Sequence, residues 1–162
     1  MAACTSDLAL ATLHQVMEAD APRLLALAYS ILHDRDQSAD TVQDTLERAL
    51  RFHSSLRDPE RASAWLSTIC VREARRRLRR RRLTGFLPLR GSDPAATVPA
   101  ADPDLDRALR RLSPRQREVV ALHYVYGYTL DETAAVLGCR PGTARRHLHR
   151  ALDSLREEIS HD

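Results

Sequence analysis

From Asp7 to His33 apolar residues return every three or four positions, at Leu8, Leu10, Leu13, Val16, Met17, Leu24, Leu27, Ala28, Ile31 and Leu32. That is the period of a helix with one buried face. Ala21-Pro22 interrupts the run. A proline lacks the backbone donor and clashes with the preceding turn, so the spacing predicts two helices meeting there. His33-Asp34-Arg35-Asp36 reads as a turn with a capping Asp. The next helix, over about 37–52, sets Val42, Leu46, Ala49 and Leu50 on one face and Asp40, Asp44, Glu47, Arg48 and Arg51 on the others. After a polar loop over 53–58, Asp58-Pro59 has the cap-then-proline signature of a helix start. Ala62, Trp65, Leu66, Ile69 and Cys70 then form the buried stripe of a fourth helix, which runs from about 59 into a run of arginines.

Residues 83–104 break every period, because Gly85, Pro88, Gly91, Pro94, Pro99 and Pro103 recur too fast for a helix. The segment reads as an acidic, flexible linker between two domains, 1–82 and 105–162. A coil of that length averages roughly 25 Å end to end and reaches about 75 Å when extended. Beyond it, Leu105, Leu109 and Leu112 predict a short helix. Ser113-Pro114-Arg115-Gln116 is a capping box with a first-turn proline, followed by Val119, Val120, Leu122 and Val125 up to Gly127. Thr129-Leu130-Asp131-Glu132 is a second box; Ala134, Ala135, Val136 and Leu137 follow, Gly138 supplies a left-handed stop, and Pro141-Gly142-Thr143 opens the last helix. Helix, tight turn and helix in this order predict a helix-turn-helix.

Composition agrees with an all-α fold of two small helical domains, since aromatics are only 4% and no long stretch alternates with period two. The net charge of +3 conceals a sharp asymmetry. Residues 1–71 hold 6 Arg against 10 Asp and Glu, whereas residues 72–82 hold 8 Arg against 1 Glu. So dense a like-charged helix calls for a polyanion. All 25 basic residues are Arg, whose planar fork suits phosphates and guanine edges, though a GC-rich genome explains the bias as well. Cys4, Cys70 and Cys139 lie far apart with no metal-ligand spacing, which points to a reducing compartment without structural zinc. The first residues lack a basic stretch followed by an apolar core, and no apolar run approaches membrane-spanning length, so a cytoplasmic protein is expected. No phosphate-binding glycine loop, nucleophile with a base, or metal cluster is recognisable, so neither an enzyme nor a cofactor is expected.

In a helix-turn-helix the second helix enters the major groove and its first turns meet base edges. Here that helix carries Thr143, Arg145, Arg146, His149 and Arg150 on its outer side, with Leu148, Leu152 and Leu155 facing inward. Three stretches of this half carry a resemblance: Leu112-Ser113-Pro114-Arg115-Gln116-Arg117-Glu118-Val119, Tyr128-Thr129-Leu130-Asp131-Glu132-Thr133-Ala134, and Leu137-Gly138-Cys139 to Leu148-His149-Arg150-Ala151. They look like region 4 of sigma-70-type factors, where this domain reads the minus-35 element. Similar modules end LuxR-type regulators, so a free-standing regulator of that type stays open on this half alone.

In the N-terminal half, Asp40-Thr41-Val42-Gln43-Asp44-Thr45-Leu46-Glu47-Arg48-Ala49 resembles the region 2 helix that grips the polymerase clamp. Ala64-Trp65-Leu66 and the following arginines resemble the part that engages the minus-10 element. The two halves in this order are similar to the extracytoplasmic-function (ECF) group of sigma factors, over roughly residues 8–82 and 105–158. The resemblance implies an alternative sigma factor that binds core RNA polymerase, at the clamp of the beta-prime subunit and the flap of the beta subunit. It also implies promoter DNA and an anti-sigma factor as partners.

Residue by residue, Asp40, Gln43, Asp44, Glu47 and Arg48 would meet core polymerase. Arg72, Arg75, Arg76 and Arg79, on neighbouring turns, would track phosphates near the minus-10 element. Unstacked bases need a platform or pocket, and the loop from His53 to Asp58, with Ser54 and Ser55, is the better candidate than Phe52 or the stripe residue Trp65. Arg115, Thr143, Arg145, Arg146, His149 and Arg150 would read the minus-35 element. Ser38-Ala39 and Arg146-His147 depart from the family pattern, which bears on promoter preference and not on fold. His123, Cys70 and Cys139 read as packing residues.

Overall fold

A long helix whose apolar stripe is wider than one neighbour can cover must be wrapped by several others. In the computed structural model, which describes residues 2–83 and 103–160 (side chains over 11–81, at 83 and over 107–158), α1 (Ala2–Leu32) is that helix. It packs against α2 (Arg35–Arg51) and α3 (Ala62–Leu83) as a three-helix bundle. The second group comprises α4 (Pro103–Arg111), α5 (Pro114–Val120), α6 (Leu130–Leu137) and α7 (Pro141–Ser160), with α7 against the other three. Every regular element among the described residues is helical. The linker expected over 83–104 lies, apart from its ends, outside the described residues.

Pro22 does not divide the first segment: α1 is one helix with the proline inside it. The reason is that Leu13, Met17, Leu24, Leu27, Ala28 and Ile31, on both sides of Pro22, are all buried in one core. They stay on one face only if the helix continues. Burying each large side chain contributes about 1.5–3 kcal/mol, which together outweighs the roughly 3 kcal/mol that an interior proline costs.

The buried face of α2 also differs from the apolar pattern. Ser38, Thr41, Thr45 and Ala49 are fully buried, whereas Val42 and Leu46 are half-buried and Leu50 is exposed. Each hydroxyl bonds back to its own helix, Ser38 Oγ to the Asp34 carbonyl, Thr41 Oγ1 to that of Gln37 at 2.6 Å and Thr45 Oγ1 to that of Thr41 at 2.7 Å. Satisfied in this way, small polar side chains can be buried at little cost and let helices approach closely.

The termini follow their local signals. Asp34 caps α2, both capping boxes form at Ser113 and Thr129, and Gly138 stops α6 at φ 65°. Asp58-Pro59 caps a 3₁₀ turn over Pro59–Arg61 that leads into α3. The helix expected to run to Gly127 ends instead at Val120 and continues as a π turn over Ala121–Val125. The wider turn shifts the register, exposing Tyr124 and Val125 and burying Tyr126.

Candidate polymerase and nucleic-acid interfaces

The outer side of α2 and the arginines of α3 form one charged surface. Asp40, Gln43, Glu47 and Arg48 are exposed, and Asp44 is half-buried. Arg77 donates to Asp44 at 2.6 Å and lies 3.7 Å from Asp40. Arg76 donates to Glu73 at 2.8 Å and stands 4.0 Å from Asp44, while Arg48 pairs with the other oxygen of Glu73. Glu73 is buried, and two guanidiniums keep it paired, as a buried carboxylate requires. Between them Asp44, Glu47, Arg48, Arg51, Glu73 and Arg76 line a shallow open pocket. Half-buried Val42 and Leu46 and exposed Leu50 run beside this surface at four-residue intervals. Periodicity had placed those three in the core, so their availability to a partner is visible only in the fold.

The four arginines expected to track phosphates have divergent surroundings. Arg72 and Arg79 are exposed, and Arg76 is half committed to Glu73. Arg75 is turned toward the other half of the chain, where its Nε and Nη2 donate to the two oxygens of Glu118 at 2.8 and 2.6 Å. His53 is half-buried, Ser54 and Ser55 are exposed, and all three form a 3₁₀ turn. Phe52 is exposed beside them, with the Arg48 guanidinium 5.9 Å from its ring.

On α7, Arg145, Arg146, His149 and Arg150 are all exposed and Thr143 is half-buried in the first turn. Ala144, Leu148 and Ala151 hold the opposite face in the core. His149 Nδ1 lies 2.8 Å from Asp153. Half-buried His147 sits among Arg146, Arg115 and Arg150; burial first, and then those charges, push its imidazole below the usual histidine range. Arg115 is half-exposed and donates to Glu118 at 3.3 Å. Cys70 is buried, its thiol pushed up to about 12 mainly by desolvation, which leaves it inert.

Glu118, Arg23, Tyr126 and Tyr128 carry structure that sequence reasoning left unassigned. Arg23 donates to the Tyr126 carbonyl at 2.7 Å with its guanidinium 4.3 Å from that ring. The Tyr128 hydroxyl meets Ser63 at 3.4 Å and Ser67 at 3.3 Å. Arg117 donates to the Ile31 carbonyl at 3.5 Å. All three contacts join α1 or α3 to α5 or to the segment between α5 and α6, and no local spacing signals a pairing across so many residues.

Known proteins share both halves. Residues 16–84 match the family model for sigma-70 region 2, and residues 103–155 match that for sigma-70 region 4. The chain is 33% identical over 144 residues to the RNA polymerase sigma factor CarQ of Myxococcus xanthus, covering 85% of this chain and 83% of that one. It is 32% identical over 140 residues to the ECF RNA polymerase sigma factor EcfG of Rhodopseudomonas palustris, covering 83% and 77%. Among solved structures, the sigma factor RpoE of Bartonella quintana, in complex with the anti-sigma factor NepR, superposes with a TM-score of 0.76 at 29% identity over 92% of this chain and 97% of that chain. A helix-turn-helix alone left two kinds of transcription protein open, but the bundle preceding it and the similarity along both halves settle between them: the chain belongs to the sigma-70 family of RNA polymerase sigma factors, in its extracytoplasmic-function group.

Proposed function

We propose that this alternative sigma factor docks on core RNA polymerase through α2 and reads promoter DNA with α3 and α7. Asp40, Gln43, Asp44, Glu47 and Arg48 meet the clamp of the beta-prime subunit, with Val42, Leu46 and Leu50 adding apolar contact at the same face. Arg72, Arg75, Arg76 and Arg79 engage phosphates at the minus-10 element, and the turn of His53, Ser54 and Ser55 receives the opened strand. Arg115, Thr143, Arg145, Arg146, His149 and Arg150 read the minus-35 element, with the surrounding domain against the flap of the beta subunit. Residues 1–82 and 105–162 act as the two readers, and 83–104 is the acidic tether that passes between them.

The observation that carries this reading is the arrangement of α7, whose basic outer face is wholly exposed while its alanines and Leu148 anchor the other side. A positive helix presented in this way is what major-groove entry requires. The protein acts without cofactor or catalysis of its own, in the cytoplasm; no helix among the described residues is long and apolar enough to cross a membrane. Complexes such as that of RpoE with NepR support an anti-sigma factor as a further partner.

The test is reconstitution. Adding the full chain to core RNA polymerase is expected to produce promoter-specific run-off transcripts that core alone does not make. Absence of both stable core association and specific transcripts overturns the reading.

A further inference from the structure

Asp153 stands on the outer side of α7, one turn beyond His149, and both its oxygens are engaged. Oδ2 lies 2.8 Å from His149 Nδ1, and Oδ1 accepts from Arg156 at 3.4 Å. The His149 side chain is 77% exposed, so the far edge of its ring, with Nε2, faces outward. Counted from Pro141 at 1.5 Å per residue, His149 lies about 12 Å along the helix. Asp153 follows about 6 Å behind it, further from the end that enters the groove.

Helix stability is a poor reason for this pair. Exposed ion pairs four residues apart contribute little, and the order here, base before acid, is the weaker one. Aspartate is also among the poorer helix formers, and a carboxylate on a face meant for DNA is repelled by phosphates. Its effect on the imidazole is more definite. An ionised carboxylate can only accept, so the ring nitrogen that it faces must carry the proton. In a neutral imidazole a proton on Nδ1 leaves Nε2 as a bare acceptor, and Arg156 on the other oxygen keeps the carboxylate in place.

We propose that Asp153 is a positioning residue for minus-35 recognition: it fixes the tautomer of His149, which then presents an acceptor to the major groove and selects a base with an exocyclic amine, cytosine or adenine. The inference rests on the sigma-factor reading above and adds the class of base that one side chain takes. Cytosine N4 and adenine N6 donate in the major groove, whereas guanine O6 and N7 and thymine O4 would meet Nε2 lone pair to lone pair.

The test uses the full chain on core RNA polymerase, with promoter DNAs carrying each base in turn along the minus-35 element, at about pH 8, where imidazoles are ordinarily neutral. Wild type is expected to favour cytosine or adenine about 3–10-fold at one position, the value of a single hydrogen bond. Asp153→Asn is expected to lose most of that preference, because an amide can donate as well as accept and no longer dictates which nitrogen is protonated. Its lost charge acts on every promoter alike, so the ratio at one position separates tautomer control from electrostatics. His149→Ala should lose the same preference, and adding Asp153→Asn to it should change nothing further. Nitrogen-15 spectra of the chain without DNA should show His149 protonated at Nδ1 in wild type and a mixture of tautomers in Asp153→Asn. A bare Nδ1 in wild type overturns the proposal, as does undiminished discrimination in Asp153→Asn or a preference for guanine or thymine at the position that His149→Ala affects. If no variant binds core polymerase, the sigma-factor reading fails, and the spectra alone then decide whether Asp153 sets the tautomer.

Discussion

Asp44 accepts from Arg77 at 2.6 Å, which ties the acidic helix α2 to the arginine helix α3 through a half-exposed ion pair. The surface proposed for polymerase therefore also carries interhelical structure, and substitutions there have two effects to separate. Glu47 is exposed and accepts from Gln43 Nε2 at 3.1 Å on the same helix. Glu47→Arg is expected to weaken core binding at least tenfold with thermal stability within about 0.5 kcal/mol of wild type, as for surface sites generally. Titration with core polymerase alongside thermal unfolding checks both halves of the statement.

Arg48→Ala behaves differently. Arg48 is half-exposed, but its partner Glu73 is buried and keeps Arg76 as a second partner. The loss is expected to be about 1 kcal/mol of stability in addition to weaker core binding. Equal stability of Arg48→Ala and wild type in urea unfolding would remove the structural part of this assignment.

Arg145 and Arg150 lie exposed on the outer side of α7. Replacing either by Ala is expected to relax minus-35 discrimination by about 1–3 kcal/mol where the contact is bidentate to guanine. Binding of the mutant holoenzyme to a series of promoter variants measures this, and unchanged discrimination at every position rules the contact out.

His147 bears on pH. Burial and three neighbouring arginines hold its imidazole below the usual histidine range. The folded state therefore favours the neutral ring, and stability from this group is fully present above the unfolded value of about 6.5 and is lost as pH falls from there through the lower folded value. Phosphates that neutralise Arg146 and Arg150 are expected to raise the imidazole toward its ordinary value. Histidine resonances followed across pH, with and without duplex DNA, should show that rise; an identical titration in both states counts against groove entry by this face.

Pro22 is exposed inside α1. Pro22→Ala restores a backbone donor and is expected to stabilise the protein by about 1–3 kcal/mol, raising the melting temperature by several degrees with core binding unchanged. A calorimetric scan decides it.

The contrast between Ser113 and Ser38 explains how much was legible in advance. Ser113 caps α5 through a bond to a residue three positions on, so its role is written in neighbouring letters. Ser38 looks like a solvated helix residue and is fully buried, because the surface it meets comes from elsewhere in the chain. The Arg-dense helix was evident from composition, but which of its arginines face solvent was not. Arg72 and Arg79 are exposed, whereas Arg75 is turned inward by a carboxylate 43 residues away in the chain.

The amino-acid sequence by itself determined the helices, their caps, the helix-turn-helix and the family, since these depend on short-range periodicity, hydrogen bonds within one turn and the order of recognisable segments. Only the tertiary structure decided that α1 runs through Pro22, that α2 buries its hydroxyls, that a π turn sends Tyr126 inward, and that Arg75 closes on Glu118. Each of those outcomes is a competition between a local preference and burial or ion pairing with a distant partner, and the partner's position is absent from any local pattern.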